Sequence, residues 1–217
     1  MRQVVIFGTG SLAQVCCYYL QKRVPHCVGG FIVDPEYRNS DLLMDLPVAS
    51  TENANNIFSA ESFDMLVAIG YSNMRKRDYL ISRMASSGYS FTNLVPDNNF
   101  EGNITGSNNI ILPGSIIEPF TSIGSSNIIW SGAHICHDTV IGDNNFFATG
   151  SIVGGYANVS TGCFFGFGSV VIEKLTIADE TLVAAGAVVI NDTEACSKYI
   201  GVPAKKHGEH TDTGIIL

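Results

Sequence analysis

Ile111-Leu112-Pro113-Gly114-Ser115-Ile116-Ile117-Glu118-Pro119-Phe120-Thr121-Ser122-Ile123-Gly124 opens a stretch in which an apolar residue returns at every sixth position. The register runs Ile111, Ile117, Ile123, Ile129, Ile135, Ile141, Phe147, Val153, Val159, Phe165, Val171, Ile177, Val183, Val189 without a break. With 46% of the chain apolar, such a run has a chance on the order of 10⁻⁵. Two positions before most steps stands a small or polar residue, as at Ser115, Thr121, Ala133, Thr139, Ser151, Ala157, Cys163, Ser169, Thr181 and Ala187. A period of six fits neither an α-helical turn nor simple strand alternation. It fits a triangular coil whose three short faces each send one large side chain toward a common axis. Successive turns then pair as parallel strands, and no turn buries its apolar residues without a stacked neighbour. The stretch predicts a parallel β-helix.

The chain has 217 residues, 15% of them charged, with 22 Gly and a net charge of -8. That length suits one large domain or two modest ones. Its acidic pI, near 4.9, argues against a nucleic-acid backbone as partner. No cationic leader precedes a long apolar stretch and no apolar run reaches eighteen residues, so the expectation is a cytoplasmic protein without a membrane span. Cys16, Cys17, Cys27, Cys136, Cys163 and Cys196 form no C-x-x-C pair and no zinc spacing. Cys163 falls on an inward β-helix position.

Ahead of the repeat, Gln3-Val4-Val5-Ile6-Phe7 reads as a buried strand and Gly8-Thr9-Gly10-Ser11-Leu12-Ala13 follows at once. This G-x-G-x-x-A turn leads into an amphipathic helix, then a strand at 30–33 ending on Asp34. A third strand at 65–69 and a helix near 73–87 complete a βαβαβ order, that of a half-Rossmann nucleotide unit. In it, backbone N–H groups and a helix N-terminus face phosphate. The room before the repeat suits a mononucleotide and disfavours a classical NAD enzyme. Arg75 is a candidate cation for a diphosphate, with a solvated helix-end Arg as the plain alternative. The Asn-rich segment after Pro96 marks a boundary near 98, which divides the chain into 1–98, 99–206 and a frayed tail, 207–217.

Exceptions to a repeat draw attention, and the clearest is Trp130-Ser131-Gly132-Ala133-His134-Ile135-Cys136-His137-Asp138. His137 lies two residues past an inward Ile and beside Asp138, at an expected corner. A His there can take a proton from an attacking amine or hydroxyl, with the acid orienting it. An inert surface His is the plain alternative. A metal site at His134 and His137 lacks an evident third ligand, so no metal is expected. Cys136 as a nucleophile would need an activating base, and its alternation with Ile135 points it in a different direction from His137; His134 is open between substrate contact and surface.

The hexads, the His-Asp rung, Ala184-Ala185-Gly186-Ala187-Val188-Val189 and Gly201-Val202-Pro203-Ala204-Lys205 together resemble the left-handed β-helix (hexapeptide-repeat) acyltransferases. With the N-terminal βαβ unit, the chain is similar to the branch containing bacterial nucleotide-amino-sugar N-acetyltransferases and sialic acid O-acetyltransferases. The resemblance implies an all-β left-handed parallel β-helix behind the α/β half-Rossmann domain, assembled as a homotrimer. It implies acetyl-CoA in the groove between subunits, His137 as general base with Asp138 orienting it, and the Gly155 N–H polarising the thioester oxygen. Phe167, Ala185 and Gly186 are expected along the pantetheine, and Gly8, Gly10, Ser11, Asp34 and Arg75 around the nucleotide. Some relatives carry a second His nine residues after the base, where this chain has Phe146. The implied reaction is N-acetylation of a dTDP- or UDP-linked 4-amino-4,6-dideoxy sugar for surface glycans such as O-antigen and lipopolysaccharide. The rivals are O-acetylation of a sugar or sialic acid and a non-catalytic nucleotide-binding trimeric scaffold.

Overall fold

A computed structural model describes residues 2–95, 102–210 and 214–217. The chain forms two compact units, one comprising Met1–Gly70 and Lys76–Leu94, the other Tyr71–Arg75 and Val95–Leu217. The expected boundary near 98 lies outside the described residues.

In the first unit β1 (Gln3–Phe7), a run of Val, Ile and Phe with the propensity and apolarity of a central strand, is buried along its length after Gln3. Helix α1 (Ser11–Arg23) turns Leu12, Ala13, Cys16, Cys17 and Leu20 inward and ends on Lys22 and Arg23, where cations favour the helix dipole. Strand β2 (Val28–Val33) pairs parallel with β1. The sequence reading passed over β3 (Leu42–Leu43) and β4 (Leu46–Ser50), an antiparallel pair whose second member extends the sheet parallel to β2. These strands are short, and Pro47 within β4 demotes it to the neighbourhood of an edge. After α2 (Ala54–Ile57), β5 (Phe63–Val67) pairs with the other side of β1, two residues earlier than the sequence suggested. The sheet order is β3-β4-β2-β1-β5. Leu80 and Met84 of α3 (Met74–Ser86) pack on it with Phe58 and Tyr89.

Gly8 closes β1 at φ +119°, and a Cβ there would lie 2.9 Å from the Ala68 carbonyl oxygen. Only Gly fits that turn.

The second unit is the expected β-helix, left-handed and parallel. Three sheets of two-residue strands form its faces. The first stacks Ile110–Ile111, Ile128–Ile129, Phe146–Phe147, Phe164–Phe165 and Leu182–Val183; the second Ile116–Ile117, His134–Ile135, Ile152–Val153, Val170–Val171 and Val188–Val189. The third stacks Asn103–Ile104, Ser122–Ile123, Val140–Ile141, Asn158–Val159 and Thr176–Ile177. Each residue pairs with the one three hexads on, as Ile129 with Phe147 and Phe147 with Phe165. All fourteen predicted inward residues are buried in one core, where Phe147 and Phe165 stack at 4.7 Å. Beside it runs a ladder of Asn109, Asn127 and Asn145, each side-chain oxygen accepting the backbone N–H of the next rung's equivalent position, and Asn145 that of Cys163. The ladder oxygens satisfy buried backbone N–H groups that a purely apolar core leaves open.

Each corner requires a left-handed residue once per turn, which produces three columns. One is glycine throughout: Gly114, Gly132, Gly150, Gly168 and Gly186. A second holds Asn108, Ser126, Asn144, Gly162 and Glu180. The third holds Phe120, Asp138, Tyr156 and Lys174, at φ +57 to +66°. Side chains other than Gly, Asn and Asp bear a cost of about 1 kcal/mol or more there.

The chain beyond 206 departs from the expected frayed tail. Lys205–Glu209 pairs antiparallel with Ser197–Ile200, which itself continues the first face, and Ile215 is buried. An antiparallel bridge joins Asn73 to Ile216, and the Tyr71 ring packs tilted against Phe146 at 4.1 Å between centroids. An apolar Ile-Ile-Leu end and an outward aromatic column supply the burial that a count of polar residues overlooks.

Candidate active site

His137 and Asp138 occupy a corner between the second and third faces. His137 Nδ1 lies 2.9 Å from Asp138 Oδ2, so an Nδ1–H donated to the carboxylate leaves the Nε2 lone pair free. The ring is half-exposed and meets Tyr156 edge-on at 5.3 Å between centroids. Gly155 sits one rung on, where a Cβ would approach His137 Cε1 to 2.9 Å and Nε2 to 3.0 Å. Gly155 is buried, yet among the described residues its N–H donates to none. A buried unpaired donor is costly, and this one is available to a substrate oxygen.

The next corner carries Phe167, Ala185 and Gly186, all exposed. The Phe167 carbonyl accepts the Gly186 N–H at 2.8 Å, so the three adjoin on successive rungs. At about 4.8 Å per turn of the coil, Phe167 lies about 8 Å along the axis from His137, and Ala185 about 13 Å. Between the two corners the second face exposes Ile116 and Ile152.

Phe146, where some relatives place a second His, is only 2% exposed. It stacks on Phe164 at 4.9 Å beneath Tyr71, on the first face and away from the His137 corner.

Sequence reasoning missed Glu118. Its Oε1 lies 2.7 Å from His134 Nε2, and its Oε2 accepts the His137 backbone N–H at 2.8 Å. These two bonds hold its carboxyl below the usual carboxylate range. Its position one turn before Cys136, adjusted by the eighteen-residue repeat, was the available signal. Glu118, His134 and Cys136 place one donor atom each within 4.8 Å of one another, so a third metal-ligand type does stand near His134, contrary to the sequence reading. Both Glu118 oxygens are already engaged, and burial followed by the Glu118 charge pushes the Cys136 thiol up. Cys163, fully buried, is pushed up to about 12 by desolvation and is core, as expected.

In the first unit, Gly10 caps α1 with no side-chain hydrogen bond, and a Cβ there would meet nothing within 4 Å. Ser11 opens the helix, whose first turn lacks an acid. Asp34 ends β2 with its side chain 14% exposed; Oδ1 accepts from Arg83 Nη2 at 2.6 Å and Thr51 Oγ1 at 3.1 Å. The Arg83 guanidinium also lies over the Phe7 ring at 5.6 Å. Gly8, Gly10, Ser11 and Asp34 thus gather at the C-terminal ends of β1 and β2, the usual ligand edge of such sheets. Arg75 belongs to the other unit, where Nε and Nη2 bind both Glu180 oxygens at 2.7 Å.

A stack of parallel hexads with a His–acid pair at an open corner is similar to the left-handed β-helix hexapeptide-repeat transferases. Residues 120–155 match the family described as bacterial transferase hexapeptide (six repeats). Among solved structures, the chain is similar to PerB from Caulobacter crescentus in complex with CoA and GDP-perosamine. The two share 28% identity over 95% of this chain and 97% of that one, with a TM-score of 0.84. The fold also matches the acetyltransferase domain of PglB from Neisseria gonorrhoeae in complex with acetyl coenzyme A, at 20% identity over 95% and 99% of the chains and a TM-score of 0.81. WeeI from Acinetobacter baumannii shares it at 22% identity over 95% and 100%, with a TM-score of 0.79. No curated protein matches the chain by sequence. Among the described residues, no helix is long and apolar enough to cross a membrane.

Proposed function

We propose that the protein is an acetyl-CoA-dependent N-acetyltransferase acting on the amine of a nucleotide-linked amino sugar. One observation carries this reading: the His137–Asp138 pair faces outward beside an unspent Gly155 N–H on the next rung. The amine nitrogen attacks the thioester carbonyl carbon, and His137 Nε2 takes its proton as the C–N bond forms. Asp138 holds the Nδ1–H and favours the resulting imidazolium. The Gly155 N–H donates to the carbonyl oxygen as it becomes an oxyanion. Collapse breaks the C–S bond, and the CoA thiolate leaves and recovers the proton from His137. No covalent enzyme intermediate and no metal takes part. Phe167, Ala185 and Gly186 line the pantetheine path, with the pantetheine running away from the base along the corner.

The nucleotide binds the first unit, its phosphates toward Gly8, Gly10 and Ser11 and its nucleoside toward Asp34. Arg75 reaches a diphosphate only by releasing Glu180, which weakens its part in this reading. The GDP of the Caulobacter complex stands beside dTDP and UDP as candidate base. Exposed aliphatic side chains of the second face suit a homotrimer with acetyl-CoA in the grooves, and the cytoplasm is where such sugar nucleotides and acetyl-CoA meet.

The test is CoA-thiol release from acetyl-CoA with GDP-, dTDP- and UDP-linked 4-amino sugars, wild type beside His137→Ala. Turnover with one nucleotide, reduced about 10²–10⁴-fold in the variant, supports the reading. Turnover with a sialic acid or other hydroxyl acceptor instead replaces it with O-acetylation.

A further inference from the structure

We infer that Glu118 is a positioning residue for the His137 base, fixing the corner that carries the imidazole. The inference rests on the reading of His137 given above.

The first corner position of three successive rungs is Pro119, His137 and Gly155. Pro119 has no N–H, and the Gly155 N–H is unspent among the described residues; only the His137 N–H is captured, by Glu118 Oε2 at 2.8 Å. The rung below also receives the neighbouring amide, since Asp138 N–H donates to the Pro119 carbonyl at 3.2 Å. The rung above is tied on through Tyr156 N–H to the His137 carbonyl, also at 3.2 Å. The base is therefore held by its backbone from both sides, and by Asp138 at Nδ1. What remains is rotation of an already anchored ring.

The other Glu118 oxygen meets His134 Nε2 at 2.7 Å, which keeps the carboxylate from turning away. His134 thereby has a role that neither substrate contact nor plain surface describes: it orients the carboxylate that orients the base. Glu118 and Asp138 are the acids facing His137, with His134, Cys136 and the Tyr156 hydroxyl as further titratable neighbours. Precision is the point of such support, because a misplacement of about 1 Å costs up to about a hundredfold in rate.

The experiment compares Glu118→Ala, Glu118→Gln, His137→Ala and the Glu118→Ala/His137→Ala double variant, by CoA release and by hydrogen exchange at the His137 amide. Glu118→Ala is expected to lower kcat about 10- to 100-fold with KM for acetyl-CoA within about twofold, and to speed exchange of that amide about tenfold. Glu118→Gln, which retains an acceptor oxygen, recovers most of the loss. The double variant is no slower than His137→Ala, as expected for a residue that acts through another. Unchanged kcat or unchanged amide exchange in Glu118→Ala, or losses that multiply in the double variant, would overturn the role. Full activity in His137→Ala would instead overturn the base itself, and this role with it.

Discussion

Gly155→Ala isolates the geometry of the proposed reaction from the stability of the fold. The Gly155 backbone lies outside the left-handed region, so Ala introduces no conformational strain of its own. Its methyl would stand 2.9 Å from His137 Cε1, against the 3.4 Å at which ordinary contact begins, so a gap of 3.4 − 2.9 = 0.5 Å must be opened. The half-exposed imidazole takes most of the displacement, and the His137 carbonyl oxygen, 3.2 Å from the methyl, must give by a smaller amount. A half-ångström displacement of the base corresponds to about a tenfold loss of kcat, scaled from about a hundredfold per ångström. Added to this is any tilt of the Gly155 N–H relative to the oxyanion. We expect kcat to fall about 10- to 50-fold, with the melting temperature within about 3 °C of wild type. CoA-thiol release measured with thermal unfolding checks both halves. Native kcat in a well-folded Gly155→Ala would falsify the packing of base against oxyanion donor. A collapse in melting temperature would show the backbone, not the ring, absorbing the methyl.

Val159→Asp places a charge in the apolar stack between Ile141 and Ile177, at a cost of about 4 kcal/mol or more, and should abolish soluble folded protein; native melting by circular dichroism would contradict the inward register. Asp34→Ala should raise KM for the sugar nucleotide at least about fivefold while leaving KM for acetyl-CoA unchanged, and equal changes in both would argue against the assigned division between the units. Glu180 is held below its ordinary value of 4.5, first by its hydrogen bonds to Arg75. A carboxylate depressed in the folded state stabilises above the unfolded pKa and loses that contribution as pH falls through the folded one. The melting temperature of wild type should therefore exceed that of Glu180→Gln at neutral pH, and the difference should shrink below about pH 4.5; a constant gap down to strong acid would rule out the ion pair as its source.

The hexad register was legible because one apolar residue per face must point inward, and a single slip exposes the whole stack. From Ile111 to Val189 that constraint permits no compensation, and the observed core follows it residue for residue. Beyond Val189 the same face continues with Tyr199 opposite Val183, sixteen residues on rather than eighteen, so a period search loses it although the pairing persists. Leu46–Ser50 escaped notice because five residues including a Pro carry little periodic signal. His137 and Asp138 stood out as exceptions to a pattern, which is what a site on a repetitive scaffold looks like. Glu118 did not, because its partners lie one full turn away and only stacking brings them to it. Arg75 looked like any helix-end cation in sequence, and its engagement by Glu180 depends on chain returning from 105 residues later.

The eighteen-residue turn also works as a ruler. Every landmark of the proposed acyl-donor path occupies a corner, and corners recur only in whole turns, so distances along the axis come in steps of about 4.8 Å. Inserting one complete turn between Gly155 and Phe167 would preserve every inward residue and lengthen the path by one such step. Inserting a single hexad would keep the core but rotate all later corners by a third of a revolution, moving Phe167 and Ala185 from their own edge of the prism onto the one His137 occupies. Length change near this site is therefore quantised: a whole turn adjusts reach, and anything less changes which edge of the prism faces the acyl donor.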